Sequence, residues 1–138
     1  MPQNIDVLVS EVGPRDGLQS IKRTMPTKAK LDWIQALAAA GLQEIEVGSF
    51  VSPRLLPQMA DCDELVKESN KIKNLTVLAL VPNLKGAERA IAAGARKLTM
   101  PPSASRTHGL NNIGKTPEEA IDEVKRVCAL RDTLPVKQ

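Results

Sequence analysis

The sequence predicts an α/β fold: about four βα units, forming the N-terminal half of a (β/α)8 TIM barrel. Three observations carry that expectation. Short apolar runs alternate with stretches of helical periodicity, which implies parallel strands joined by right-handed crossovers. Short turns precede the strands, while long polar loops follow the first, second and fourth. The loop after the first strand, Gly13-Pro14-Arg15-Asp16-Gly17, has the wrong glycine spacing for a dinucleotide binder, and Pro14 removes an amide that a phosphate would need. That disfavours an open doubly wound sheet, the other architecture compatible with this order. A full barrel takes about 250 residues. The chain has 138, so it reads as one partial barrel domain, 1–138, that stops before strand five.

Ile5–Val12 is strand one, mostly apolar and β-branched, as in a strand buried on both faces. Gly13–Met25 is loop, opened by a Gly-Pro pair that resists helix. Pro26-Thr27 starts helix one with Thr27 as cap, Leu31, Ile34, Leu37 and Ala38 recur at helical spacing, and Gly41 ends it. Glu44–Gly48 is strand two. Ser49–Ala60 is loop, punctuated by Pro53 and Pro57, and Asp61 to about Lys71 is helix two, with Leu65 and Val66 inward. Leu75–Val81 is strand three. Asn83 caps a helix to Ala93, closed by Gly94, and Leu98–Met100 is strand four. Pro101–Lys115 reads as a long polar loop. Thr116-Pro117-Glu118-Glu119 is a capping box with proline at the first helical position, opening a helix to about Arg131. Leu134–Gln138 approaches another strand.

Hydrophobic content of 42% and charged content of 25% are ordinary for a globular protein. Trp33 and Phe50 are the only aromatic residues, so the core must be built from Ala, Leu, Ile and Val. No apolar run nears the roughly 20 residues of a membrane span. Met1-Pro2-Gln3-Asn4 has no signal-peptide pattern. Cys62 and Cys128 are too few for a disulfide framework or a zinc site and fall on predicted helices as packing residues. The expectation is a reduced, cytoplasmic protein. The net charge of +3 is scattered, without aromatic interleaving, which argues against nucleic acid.

In a barrel, chemistry collects at the carboxyl ends of the strands. Those ends carry Glu11, Arg15, Asp16 and Gln19; then Glu46, Ser49 and Phe50; then Asn83; then Ser103, Ser105, His108 and Asn112. Asp16 suits a hard cation such as Mg²⁺ or Mn²⁺, or else caps a turn. Arg15 can polarise a carbonyl and stabilise an enolate, or pair with Glu11 or Glu46. Glu11 and Glu46 can orient Arg15, hold a water, or serve structural pairing. His108, the sole histidine, is an acid–base group, a phosphate contact or a solvated loop residue. Ser103 and Ser105 can bind a carboxylate or simply belong to the loop. Trp33 is a packing residue. No Ser/His/Asp or Cys/His triad can be assembled.

Glu11-Val12-Gly13-Pro14-Arg15-Asp16-Gly17-Leu18-Gln19 resembles the first-strand signature of the 3-hydroxy-3-methylglutaryl-CoA lyases, a metal-dependent branch of the pyruvate-carboxyltransferase-like barrels. The likeness continues through Ala40-Gly41-Leu42, Ile45–Pro53, Pro57-Gln58-Met59, Pro82-Asn83-Leu84-Lys85-Gly86, Ser103-Ala104-Ser105 and Asn112. Leu18 separates it from the related isopropylmalate and homocitrate synthases, which usually carry glutamate there. The resemblance implies a carbon–carbon lyase that uses Mg²⁺ or Mn²⁺ to cleave 3-hydroxy-3-methylglutaryl-CoA into acetyl-CoA and acetoacetate. A base takes the tertiary hydroxyl proton, the carbon–carbon bond breaks, and an acetyl-CoA enolate forms. It further implies Asp16 as metal ligand and Arg15 and Glu46 as catalytic residues. Arg15, Gln19, Ser49 and Ser105 would lie on the substrate.

The family's His-x-His metal pair, its metal-binding asparagine and its glycine-rich loop with the catalytic cysteine lie in the second half of its barrel. One histidine cannot supply two ligands, so the implied metal site is incomplete in one copy of this chain. A symmetric dimer would duplicate Asp16 without adding the pair. The expected partners are therefore a 3-hydroxyacyl-CoA and a complementary half-barrel, or further copies of the chain. Neither nucleic acid nor membrane is expected. A non-catalytic half-barrel that binds an acyl-CoA is the alternative.

Overall fold

The computed structural model describes residues 6–135. The expected strand-one start at Ile5, the Met1–Asn4 segment and the end of the approach to a fifth strand, 136–138, lie outside the described residues. Four parallel strands, β1 (Ser10–Glu11), β2 (Glu44–Ser49), β3 (Thr76–Leu80) and β4 (Lys97–Thr99), form one sheet in the order β1-β2-β3-β4. Between and after them run α1 (Thr27–Ala39), α2 (Cys62–Ser69), α3 (Leu84–Ala93), α4 (Arg106–Ile113) and α5 (Pro117–Asp132). Sequential order with parallel pairing has no point at which the winding reverses. Right-handed crossovers then place every connecting helix on one face. This is the barrel-like arrangement, and the doubly wound alternative fails.

The two sheet faces differ in chemistry. Ile45, Val47, Val77, Ala79 and Val81 join Ile34, Leu65, Val66, Ala87 and Ala90 in the core between sheet and helices. The opposite face carries Glu44, Glu46, Leu78, Leu80 and Lys97, because partners in a parallel register share a face and alternate residues share a side. Lys97 Nζ lies 2.9 and 3.0 Å from the two Glu44 carboxylate oxygens, so the buried Glu44 is neutralised across that face.

Three expectations are corrected. Strand one is two residues long, and Val7, Leu8 and Val9 are exposed rather than buried on both faces. Among the described residues β1 pairs with β2 alone, and β2 begins at Glu44, so pairing holds just Ser10 and Glu11. Gly13–Gly17 is a π-helical turn instead of irregular loop. Pro14 is tolerated there because a first-turn residue needs no amide donor. Within the expected loop 101–115, Arg106–Ile113 is helical. Ser105 caps it by accepting the His108 N–H, and Gly114 closes it at φ 67°. A helix of two turns with Gly109 and two asparagines has too little apolar periodicity to be read in advance.

Smaller differences follow packing. Thr27 does not cap α1; its hydroxyl donates to Asp61 at 2.8 Å, and Pro26 occupies the cap position. Cys62 is buried and Cys128 exposed, so the expectation that both pack holds for the first alone. Asn83, Gly94 and the Thr116–Glu119 capping box stand as expected. The α5 residue Glu123 accepts the Leu84 N–H at 2.7 Å and pairs with Lys115 at 2.9 Å, tying α5 to the start of α3.

These contacts, the Leu84 amide first and Lys115 next, hold the Glu123 carboxyl below the usual carboxylate range. A depressed folded pKa stabilises the fold above the unfolded value, and that contribution is lost as pH falls through the folded one. Glu123→Gln should cost about 1–3 kcal/mol at pH 7. The difference from the parent chain should shrink as pH is lowered below the ordinary carboxylate range in urea unfolding.

Candidate active site

The candidate site begins with β2. Its register pairs Glu46 with Leu78 and then Gly48 with Ala79, so Val47 is one residue extra. This β-bulge changes which side chains share a face. Without it, Glu46 and Ser49, three residues apart, would point to opposite sides of the sheet. With it, Val47 and Gly48 both face the helices, and Ser49, opposite Leu80, returns to the face of Glu46. Gly48 is required by space. A Cβ there would lie 2.6 Å from Cys62 Sγ. Burial, with Asp63 and Asp61 beside it, pushes the Cys62 thiol far up, so it packs as a neutral group and is no nucleophile.

The π-turn packs on this strand end. Its first turn is held by the Arg15 and Asp16 amides, which both donate to the Val12 carbonyl, at 3.1 and 2.7 Å. Glu11 Oε1 accepts the Gly13 N–H at 2.6 Å. Gly13 suits the close approach of both groups, since a Cβ would meet that carboxylate at 2.8 Å and the Trp33 ring at 3.1 Å and displace the brace. So Glu11 braces the turn's backbone and does not orient Arg15, and Trp33 packs beneath it. A π-turn adds a residue relative to an α-turn. Here it presents Arg15 and Asp16 together.

Arg15 is the centre of the constellation. Its Nε donates to Glu46 Oε2 at 2.7 Å and its Nη1 to Asp16 Oδ1 at 2.8 Å. The Glu46 side chain is 2% exposed, Arg15 15% and Asp16 60%. Polarity thus grades from a buried acid, through a clamped cation, to an acid in solvent. Glu46 Oε1 is buried and has no hydrogen-bond partner, which leaves one open acceptor on that face. No hydrogen bond to Arg15 Nη2 occurs among the described residues. The arrangement can offer a fixed positive charge, held from beneath by a buried acid, to an oxygen-rich ligand.

Gln19 follows one turn later and is half-buried, and Ser49 is buried at the end of β2. Ser49 Oγ accepts the Val51 N–H at 3.4 Å. Ser103, Ser105 and His108 stand apart on the α4 approach. There the His108 ring shares a 2.9 Å hydrogen bond with Ser103, and no hydrogen bond or ion pair links them to Arg15 among the described residues. Sequence reasoning passed over Lys30, which is 1% exposed inside α1 and bound to Asp61 at 2.7 Å and to the Gln58 carbonyl at 2.6 Å. Lysine on a helix reads as surface, and nothing in the local pattern marks it otherwise.

A divalent cation of the hard class takes about six oxygen ligands. Asp16 supplies one carboxylate, already engaged by Arg15. No group of three or more His, Cys, Asp or Glu able to hold a metal occurs among the described residues. The donor set present does not make a metal centre.

Fold and site together define a parallel βα-barrel rim that carries a clamped arginine–carboxylate pair on its first loop. Residues 6–134 match the family described as HMGL-like, and the chain belongs to that family. It is 41% identical over 138 residues to the mitochondrial hydroxymethylglutaryl-CoA lyase of Gallus gallus, covering 99% of this chain and 46% of that protein. Its structure is similar to that of the Bacillus subtilis HMG-CoA lyase, with a TM-score of 0.84 at 38% identity, over 89% of this chain and 41% of the other. An Acinetobacter baumannii HMG-CoA lyase in complex with coenzyme A and 3-methylmalate also gives 0.84, at 39% identity, over 89% of this chain and 40% of that one. The chain therefore spans less than half the length of these relatives. Each of them is named a hydroxymethylglutaryl-CoA or HMG-CoA lyase. Other relatives, in Homo sapiens and Rattus norvegicus, are named cytoplasmic.

Removing Arg15 strands a buried carboxylate. Arg15→Met should destabilise the chain by about 3 kcal/mol in urea unfolding, and Arg15→Met/Glu46→Met by clearly less than the sum of the single changes. Gly48→Ala should cost about 1–3 kcal/mol by overpacking. Much of that should return in Gly48→Ala/Cys62→Ala, where the clashing sulfur is gone.

Proposed function

We propose that this chain supplies the first four βα units of a carbon–carbon lyase barrel that cleaves 3-hydroxy-3-methylglutaryl-CoA to acetyl-CoA and acetoacetate. The single observation that carries the reading is Arg15, held by buried Glu46 through Nε at 2.7 Å and set beside Asp16 at the end of β1. In a retro-Claisen cleavage, negative charge develops on the thioester oxygen as the enolate forms. A guanidinium fixed in advance stabilises that charge without reorganising during the step. Glu46 is the group that fixes it. In the same reading Ser49, which shares the face of Glu46, and Gln19 would bind substrate polar groups, and Ser105 would belong to the substrate side.

Bound Mg²⁺ or Mn²⁺ would polarise the substrate, and Asp16 is the one ligand this chain offers. The remaining ligands and the acid–base groups come from barrel units beyond these four, in the same polypeptide or a complementary one. A cytoplasmic location belongs to this reading.

A second reading is a non-catalytic half-barrel that binds an acyl-CoA, a complementary chain or its own copies. The observation that favours it is the exposed Val7–Val9 run beside β1, which pairs on one side alone among the described residues. Such an edge invites association.

The two readings separate in one assay. The 138-residue chain alone, with Mg²⁺ or Mn²⁺, should release no acetyl-CoA from 3-hydroxy-3-methylglutaryl-CoA. Mixed with the missing half-barrel of a relative, it should turn over, and Asp16→Asn should abolish that turnover. A folded, associated mixture that stays inactive would favour the non-catalytic reading. Turnover by the chain alone, lost in Asp16→Asn, would refute the need for a complement.

A further inference from the structure

We infer that Gln58 and the buried Lys30–Asp61 pair form a positioning latch that sets the Arg15 turn against β2. The functional meaning of the latch rests on Arg15 belonging to the lyase site. The latch itself rests on geometry alone.

The Arg15 turn does not end at Gly17. The Leu18 N–H continues it to the carbonyls of Gly13 and Arg15, and the Ser20 and Ile21 amides donate to Gly17 and Leu18. Ser20 Oγ also donates to the Asp16 carbonyl at 2.9 Å. From Val12 to Ile21 the backbone is thus one hydrogen-bonded unit. One end is clamped to β2 through Arg15 and Glu46. The other end is gripped by Gln58 Nε2, which donates to the Ile21 carbonyl at 2.6 Å across 37 residues of sequence.

Gln58 is itself held in place. Lys30 Nζ binds the Gln58 carbonyl at 2.6 Å and Asp61 Oδ1 at 2.7 Å, while Asp61 Oδ2 accepts the Thr27 hydroxyl at 2.8 Å. An ammonium that is 1% exposed is retained only where such acceptors compensate its lost hydration. Gln58 Oε1 is buried without a partner. Lys30 and Asp61 hold the loop after β2, and Gln58 hands that loop's position to the turn after β1. Gln58, Lys30 and Asp61 are positioning residues that act through Arg15.

Gln58→Leu is the deciding variant, since it cuts the tether and leaves the ion pair. Lys22 and Arg23, exposed just beyond Ile21, report the loop by limited trypsin cleavage read by fragment mass. The Arg15 Nε–H resonance in a ¹H–¹⁵N spectrum reports the clamp to Glu46. Gln58→Leu should speed cleavage at these two sites about 2- to 10-fold, the change in local opening that one hydrogen bond supports. It should also broaden or shift the Arg15 Nε–H signal while the thermal midpoint holds within a few degrees. Lys30→Met should show the same two effects more strongly if it folds, and Gln58→Leu decides if it does not. Unchanged cleavage would overturn the latch. Faster cleavage with an unchanged Arg15 signal would overturn its positioning role. Neither readout needs turnover, so failure of the lyase proposal leaves this test intact.

Discussion

The structure turns on the contact between Arg15 and Glu46. Glu46 is a carboxylate in the middle of a parallel strand, almost without solvent, and a buried charge of that kind persists only with a partner. That partner arrives from a separate element 31 residues earlier, as a guanidinium on a π-turn. The turn supplies the cation, and the need to neutralise Glu46 holds the turn. Each half of the arrangement compensates the other, which ties the site to the fold.

Around this contact, small steric requirements accumulate. Gly13 leaves room for the Glu11 carboxylate and the Trp33 ring, and Gly48 leaves room for Cys62. The bulge at Val47 lets β2 satisfy two demands at once. It keeps an apolar face toward α2 and places two polar residues of odd spacing, Glu46 and Ser49, on the opposite face. A regular strand could not do both. The apolar helix side and the charged inner side are consequences of the same pleat, interrupted once.

Much of the fold was legible in advance because it depends on local chemistry. Asn83, Gly94 and the Thr116–Glu119 box end and begin helices through contacts within four residues, and they behave as read. The barrel-like order was legible because strands and helices alternate and a phosphate loop is missing. The site was legible in part. Arg15 and Asp16 sit where expected, and Glu46, one of two candidate partners for Arg15, is the one used. Glu11, the other, braces a backbone amide instead, because the π-turn folds Gly13 back over it. The exposed Val7–Val9 run shows the reverse failure: apolar composition predicted burial, but burial depends on what lies alongside.

By itself, then, the sequence determined the alternation of parallel strands and helices, their caps, and a chemically loaded turn at the end of the first strand. The tertiary structure decided the rest. It chose Glu46 over Glu11 for Arg15, sank Lys30 into the protein against Asp61 and the Gln58 carbonyl, shifted the face of Ser49 by one bulge residue, and left Cys128 outside. The reason is common to all of these. Caps and periodicity are set by residues a turn apart. The state of a charge, a bulge or an edge is set by what approaches from tens of residues away.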